Sequence, residues 1–313
     1  MSRIRRIRRK KPRTGSVWKK LLLWGVLGLL VLAAAAVAGS YLYVRAYLKS
    51  DGFLAMLEQS AVDDMNVETA RIDPLDWDGS GIRCGGLVME GHEFLTSLQA
   101  RNIETEFSRW ELLKRAFVIT SVNIAELKLH LAPVSFRFRE KPEGPRSWAE
   151  ENILPDTFRL EKGSIDSLSV SYGEAGRLYV LDGARVESAY DAGSSQYRFD
   201  VRGGKLLLPF QGCPEFSLMS GTAQFNHSSR RVNIPSCRLT TDAGGYLDIK
   251  GDWDGSSSSW TANVVVNGVP VSSILEDHWR KHVHGSVSGG IDLRGGRDGV
   301  THVAGLARLQ GGM

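Results

Sequence analysis

Read from the N-terminus, the chain changes its hydrophobic period along its length. Residues 21–44, LLLWGVLGLLVLAAAAVAGSYLYV, run without a charge, and a helix rising 1.5 Å per residue needs roughly 20 apolar residues to cross the ~30 Å bilayer core. They predict one transmembrane helix, anchored by Leu21, Trp24, Leu30, Val37, Tyr41 and Tyr43, with Trp24 at the inner interface and the tyrosines at the outer one. Helical spacing returns at Phe53, Leu54, Leu57 and Ala61, predicting a helix over 53–62. From residue 127 the period is two. Leu127, Leu129 and Leu131 alternate with Lys128 and His130, and Val134, Phe136 and Phe138 alternate with Ser135 and Arg137. The same alternation recurs at Leu168, Val170 and Tyr172, at Tyr197, Phe199 and Val201, at Trp260, Ala262, Val264 and Val266, and at Val287, Gly289, Ile291 and Leu293. Each run predicts a strand with one apolar and one polar face.

Turn signals separate these runs, at 173–176, 191–193, Gly203-Gly204, 242–245 and Asp254-Gly255. The expectation is a mainly β chain, an antiparallel meander. Helices are few and short, opened by S-x-x-E capping boxes at Ser108 with Glu111, Ser147 with Glu150 and Ser273 with Glu276, and Pro155 closes the second. The run KPEGPR at 141–146 reads as a linker and puts a boundary near residue 140.

Charge then orients the molecule. The chain has 39 Lys and Arg against 35 Asp and Glu, yet residues 1–20 hold ten of the cations and no acid, leaving 29 against 35 beyond them, a balance of −6. The basic pI therefore belongs to the tail, which argues against a nucleic-acid-binding domain. By the positive-inside rule the tail stays in the cytoplasm and the β-rich part lies outside it. The competing reading is a cleaved signal peptide with Ala36-Val37-Ala38 before Gly39. The apolar stretch exceeds the ~7–15 residues of a signal core, which favours an uncleaved anchor.

Candidate chemistry is sparse. Cys84, Cys213 and Cys237 are too few for a disulfide scaffold or a zinc site. An exported compartment permits one bridge, best between Cys213 and Cys237, and three unpaired thiols are an equal alternative. His278, His282 and His284 have a zinc-like spacing, but no Glu follows His278 as a zincin requires, so solvent-facing histidines are the expectation. Asp252-Trp253-Asp254-Gly255 begins like a calcium loop, but its glycine comes too early and Asn263 stands where the bidentate Glu belongs. The repeat of DWDG at 76–79 marks it as a turn. There is no P-loop, G-x-G-x-x-G or G-x-S-x-G, so no catalytic residue, metal or cofactor is assigned and no enzyme is expected.

Residues 20–134 carry a resemblance. An N-terminal anchor is followed by the short helix GFLAMLEQSA, the strand-and-turn stretch DPLDWDGSGIRCGGLVMEG, and ARNIETEFSRWELLKRAFVITSVNIAELKLHL. A second stretch, GGYLDIKGDWDG with VPVSSILEDHWRKHVHGSVSGGIDLRGG, repeats the order of strand, short helix and Gly-rich strand. These patterns, covering about half the chain, resemble AsmA-like proteins, the bacterial inner-membrane relatives of the chorein and VPS-type bridge lipid carriers. The resemblance implies a basic cytoplasmic tail (1–20), a transmembrane signal anchor (21–44), a chorein-N-like β-rich unit (45–140) and a sheet continuation (141–313); GLARLQGGM stops within strand-like sequence where the family continues, so a truncated product or part of a longer reading frame is expected. It implies an elongated, curled antiparallel sheet, trough-like, with a few short capped helices. Its apolar face, with Leu127, Leu129, Leu131, Val134, Phe136, Phe138, Leu168, Val170, Phe199, Val201, Val264 and Val266 as candidates, would hold phospholipid acyl chains in the periplasm and serve outer-membrane biogenesis. The alternatives are a non-catalytic periplasmic scaffold that contacts envelope proteins through a sheet edge, and an ordinary sandwich in which these residues are plain core.

Overall fold

The computed structural model describes residues 46, 50–65, 67–77, 81–91, 94–108, 116–133, 157–174, 176–209, 213–226, 228–273, 284–296 and 299–311. The anchor candidates Leu21, Trp24, Leu30, Val37, Tyr41 and Tyr43 lie outside these residues, as do Val134, Phe136 and Phe138. Among the described residues no helix is long and apolar enough to cross a membrane.

One α-helix is described, α1 (Asp51–Met65), three residues longer at its C-terminal end than the helical spacing suggests. Ser50 caps it, its Oγ accepting from the Phe53 amide at 3.3 Å. Of the three capping boxes, the residues that follow Ser108, all of 147–150, and 274–283 lie outside the described residues, and Ser273 ends a single 3-10 turn, Val271–Ser273.

The strands are β1 (Thr69–Ile72), β2 (Leu75–Trp77), β3 (Gly81–Glu90), β4 (Leu95–Phe107), β5 (Ala116–Leu131), β6 (Thr157–Leu160), β7 (Lys162–Glu174), β8 (Arg177–Asp191), β9 (Gln196–Arg202), β10 (Lys205–Leu207), β11 (Phe216–Asn226), β12 (Arg231–Thr241), β13 (Tyr246–Asp254), β14 (Ser259–Pro270), β15 (Ser286–Gly296) and β16 (Gly299–Gln310). They form one 16-stranded sheet in the order β1-β3-β4-β5-β7-β8-β10-β11-β12-β13-β14-β15-β16. At the usual ~4.8 Å between strands, that path measures roughly 60 Å.

The sheet is mixed, which corrects the all-antiparallel expectation. β5 pairs in parallel with both β6 and β7, with Leu127 beside Leu168 and Leu129 beside Val170. A parallel neighbour needs a long return connection, and residues 132–156, which contain the proline-rich 141–146 run, supply that length. This pairing also puts strands from either side of residue 140 into one sheet.

Gly203-Gly204 is a break within a strand position, not a hairpin. Both β9 and β10 lie between β8 and β11: β9 pairs with residues 185–191 of β8, β10 with residues 180–182. The two glycines have φ of +68° and +90°, which L side chains rarely adopt, so the chain shifts register there and continues in the same direction. Neighbouring strands are irregular at similar heights. β7 has bulges around Leu168, β8 has Gly183 at φ +71°, and β11 and β12 have register shifts at Leu218/Ser220 and Ile234/Cys237. Pro235 sits within the last of these, where a missing N–H costs no ladder bond. Bulges bend strands and tighten their twist.

The other turn signals form hairpins. Asp191 ends β8 with its Oδ1 accepting from the Gly193 amide at 2.9 Å, and Asp254 ends β13 with its Oδ1 accepting from the Ser256 amide at 2.9 Å. Two small cores form on one side of the sheet. Val67, Ala70 and Met89 pack with Ala61 and Val62 of α1, and Ala184, Phe216, Leu218 and Leu239 pack in the middle.

Candidate functional site

Cross-strand register converts the alternating runs into one apolar face. Residues directly opposite in neighbouring strands point the same way, and a single row can be followed across most of the sheet. Cys84 stands opposite Ile103, Ile103 opposite Ile124, and Ile124 opposite Ile165. The row continues through Val186, Val201 and Gly221 to Cys237. It then passes Ile249 and Val264 to reach Ile291. A second row joins Leu218, Leu239, Leu247 and Val266. A third, aromatic, row joins Tyr190, Tyr197, Phe225, Val232, Trp253 and Trp260, with the Tyr190 and Tyr197 rings 4.9 Å apart.

The sequence-derived candidates fall on this face as follows. Val201 and Val264 are in the first row, Val266 is in the second, and Phe199 lies between Ser188 and Ala223, one residue pair along from the first row. Leu127 and Leu129 face Leu168 and Val170 on one side and Ala100 and Leu98 on the other, and Leu131 is opposite Leu95. Leu127, Leu129, Leu131, Leu168, Val170, Phe199, Val201, Val264 and Val266 are all half-buried.

Sequence reasoning missed Ile165, Val186 and Ile249 of the first row, and it missed Ile82, Cys84, Leu87, Ile103 and Ile124 because the alternation there is interrupted. On β4 the apolar positions are even at Leu98 and Ala100 and odd at Ile103, Thr105 and Phe107. The change comes at Asn102, whose φ is +50°. Leu87 ties the two halves together, since it packs beside Leu98 in the cluster under α1 and also lines a cavity with Ile103. The face is thus retained while the numbering parity switches. An Asn inside an otherwise alternating run, opposite Gly85-Gly86, is the signal that could have revealed it.

The opposite face carries the charge. Arg238 pairs with Asp248 through two bonds of 2.7 and 2.8 Å and lies 4.6 Å from the centre of the Tyr246 ring. Arg198 holds Asp200 at 3.1 Å, Arg231 holds Asp254 at 3.0 Å, and Asn233 and Asn263 donate to Asp252 and Asp292. Three of these acids are held below the usual carboxylate range. Arg198 depresses Asp200, Arg238 depresses Asp248, and Ser256, with Arg231 and Ser257, lowers Asp254 to about 2. Among the described residues each shifted acid is explained by its own ion pair or turn.

The three thiols are free, so of the two cysteine alternatives the structure has the unpaired one. Burial raises all three, keeping them protonated and apolar in character. Among the described residues no cluster of three or more His, Cys, Asp or Glu side chains could hold a metal; His278 and His282 lie outside those residues, and His284 is exposed. Asp254-Gly255 forms a hairpin turn, with the Asp254 carboxylate engaged by Ser256 and Arg231. Comparison with family models, characterised proteins and solved structures finds no match to this chain.

Proposed function

We propose that this chain is a membrane-anchored lipid-handling protein that shields phospholipid acyl chains along the apolar face of its sheet. The observation that carries the reading is the first row, Cys84 through Ile103, Ile165, Val201, Cys237 and Ile249 to Ile291. Among the described residues, α1 covers only the β1–β4 end of this face, packing on Val67, Ala70 and Met89. A sheet face this apolar needs a cover, either another element or a ligand. The mechanism is passive burial: each CH2 removed from water contributes ~0.8 kcal/mol, so about ten methylenes on the face offset ~8 kcal/mol without a catalytic group. In this reading residues 21–44 hold the chain in a bacterial inner membrane, 1–20 remain cytoplasmic and the sheet is periplasmic, serving outer-membrane biogenesis.

A specific observation favours a second reading, a periplasmic scaffold. Among the described residues β16 pairs only with β15; it is exposed along its whole length and displays Val300, Val303, Leu306 and Leu309 at 56–64% exposure. A long apolar edge is a template for a partner strand. The readings part on one experiment, extraction of the full chain in mild detergent followed by mass spectrometry of bound lipids. Phospholipid at a fixed ratio to protein supports the carrier; lipid-free protein that captures an envelope protein through β16 overturns it.

A further inference from the structure

We infer that the cavity beneath α1 is the seat for the terminal part of a single acyl chain, from which the rest of the chain runs out along the first apolar row. The inference rests on the carrier reading and adds to it where a lipid is held at one end.

The cavity has a volume of about 270 Å³, room for roughly nine groups of the ~30 Å³ that a water-sized group occupies in a liquid. Leu57 of α1 roofs it, Leu75 and Ile82 form one wall, and Ile103, Phe107 and Ile119 form the floor. Its two polar side chains are already engaged. The Thr105 hydroxyl donates to the Ile82 carbonyl at 3.1 Å, and the Cys84 thiol donates to the Gly86 carbonyl at 3.1 Å. Among the described residues the lining therefore offers a ligand no free hydrogen-bonding side chain, and a polar guest would lose its water without replacement. Hydrocarbon is the chemistry that matches.

The roof is fixed in place, because the Ile72 amide donates to Glu58 of α1 at 2.9 Å. Continuity selects an acyl chain over a compact apolar guest. Cys84 and Ile103 line the cavity and are also the first members of the row that leads through Ile124 and Ile165. A linear hydrocarbon longer than the cavity meets apolar side chains all along its exit. α1 starts at Asp51, soon after the apolar 21–44 segment, so in the anchored chain this end of the row stands nearest the bilayer.

The cavity is read at its roof. Leu57 of α1 lines it and is half-buried, whereas Cys84 is 8% exposed and hydrogen-bonded, so the native thiol is shielded with or without lipid. Cys237 lies far along the same row, opposite Gly221 and Ile249. The full-length Leu57→Cys chain in detergent, stripped of lipid, is alkylated with N-ethylmaleimide with and without phosphatidylglycerol vesicles carrying sixteen-carbon chains. Peptide mass spectrometry reads the rate at each cysteine. The expected result is that lipid slows alkylation at both position 57 and Cys237, by tenfold or more at position 57. Protection of Cys237 with position 57 unchanged overturns the cavity inference and leaves the carrier reading standing. Protection of neither overturns both. A position 57 that resists alkylation in the lipid-free chain, while reacting in urea, means that the protein's own segment fills the cavity, and this too overturns the inference.

Discussion

Val264 and Val265 are adjacent residues on opposite faces of β14, and exchanging each for Gln separates a lipid-binding face from a merely apolar one. Val264 lies between Ile249 and Ile291 in the apolar row, whereas Val265 is 41% exposed and stands opposite Asp248 and Gly290. In the lipid-free protein, Val264→Gln loses about half the burial of a valine, ~1 kcal/mol. With an acyl chain over it, the new amide is cut off from water, and its neighbours Ile249 and Ile291 offer no side-chain partner. That costs a further ~1–3 kcal/mol, roughly 5- to 150-fold in Kd at 1.4 kcal/mol per decade. At Val265 the same amide stays in water, beside a carboxylate already held by Arg238. Titration of the detergent-solubilised full chain with a pyrene-labelled phospholipid measures affinity, and urea midpoints report stability separately. The expected result is a loss of affinity at 264 well beyond its small stability cost, and an unchanged affinity at 265. Equal affinities for the two variants would refute the reasoning, whatever their stabilities.

Gly204→Ala should destabilise more than Gly203→Ala: both sit at positive φ, costing ~1–2 kcal/mol, but a Cβ at 204 would also lie 2.9 Å from the Ala184 amide nitrogen and the Asp182 carbonyl oxygen, whereas one at 203 meets nothing within 4 Å; urea unfolding of the pair checks the order. Leu239→Ala, at 4% exposure beside Phe216 and Leu218, should cost ~2–5 kcal/mol, read from the same denaturation curves. Asp254 titrates at about 2 in the fold, below the ordinary 3.8, so its stabilisation is present above about pH 4 and is lost as pH falls through about 2. Asp254→Asn should therefore flatten the stability profile between pH 4 and 2 and leave its slope above pH 5 unchanged, as followed by the thermal midpoint against pH.

The strand runs at 127–131, 168–172, 197–201, 260–266 and 287–293 were legible in the sequence because one face of each is apolar and the side-chain period is two. The hairpins at 191–193, 242–245 and 254–255 were legible for a different local reason, the turn chemistry of Asp and Gly. The β3–β5 part of the apolar row was not, because Asn102 shifts the parity of the alternation, and a pattern counted by residue number then reads as broken.

What the sequence determined alone is therefore local: which stretches are strands, which side of each is apolar, and that charge separates the first twenty residues from the rest. Those properties follow from steric periods and composition within a few residues. Only the tertiary structure decided that β5 and β7 run parallel, that β9 and β10 share one position between β8 and β11, and that Cys84, Ile165, Cys237 and Ile291 belong to one row. Each of these is set by register between strands distant in sequence, and register depends on pairing partners that no local window contains.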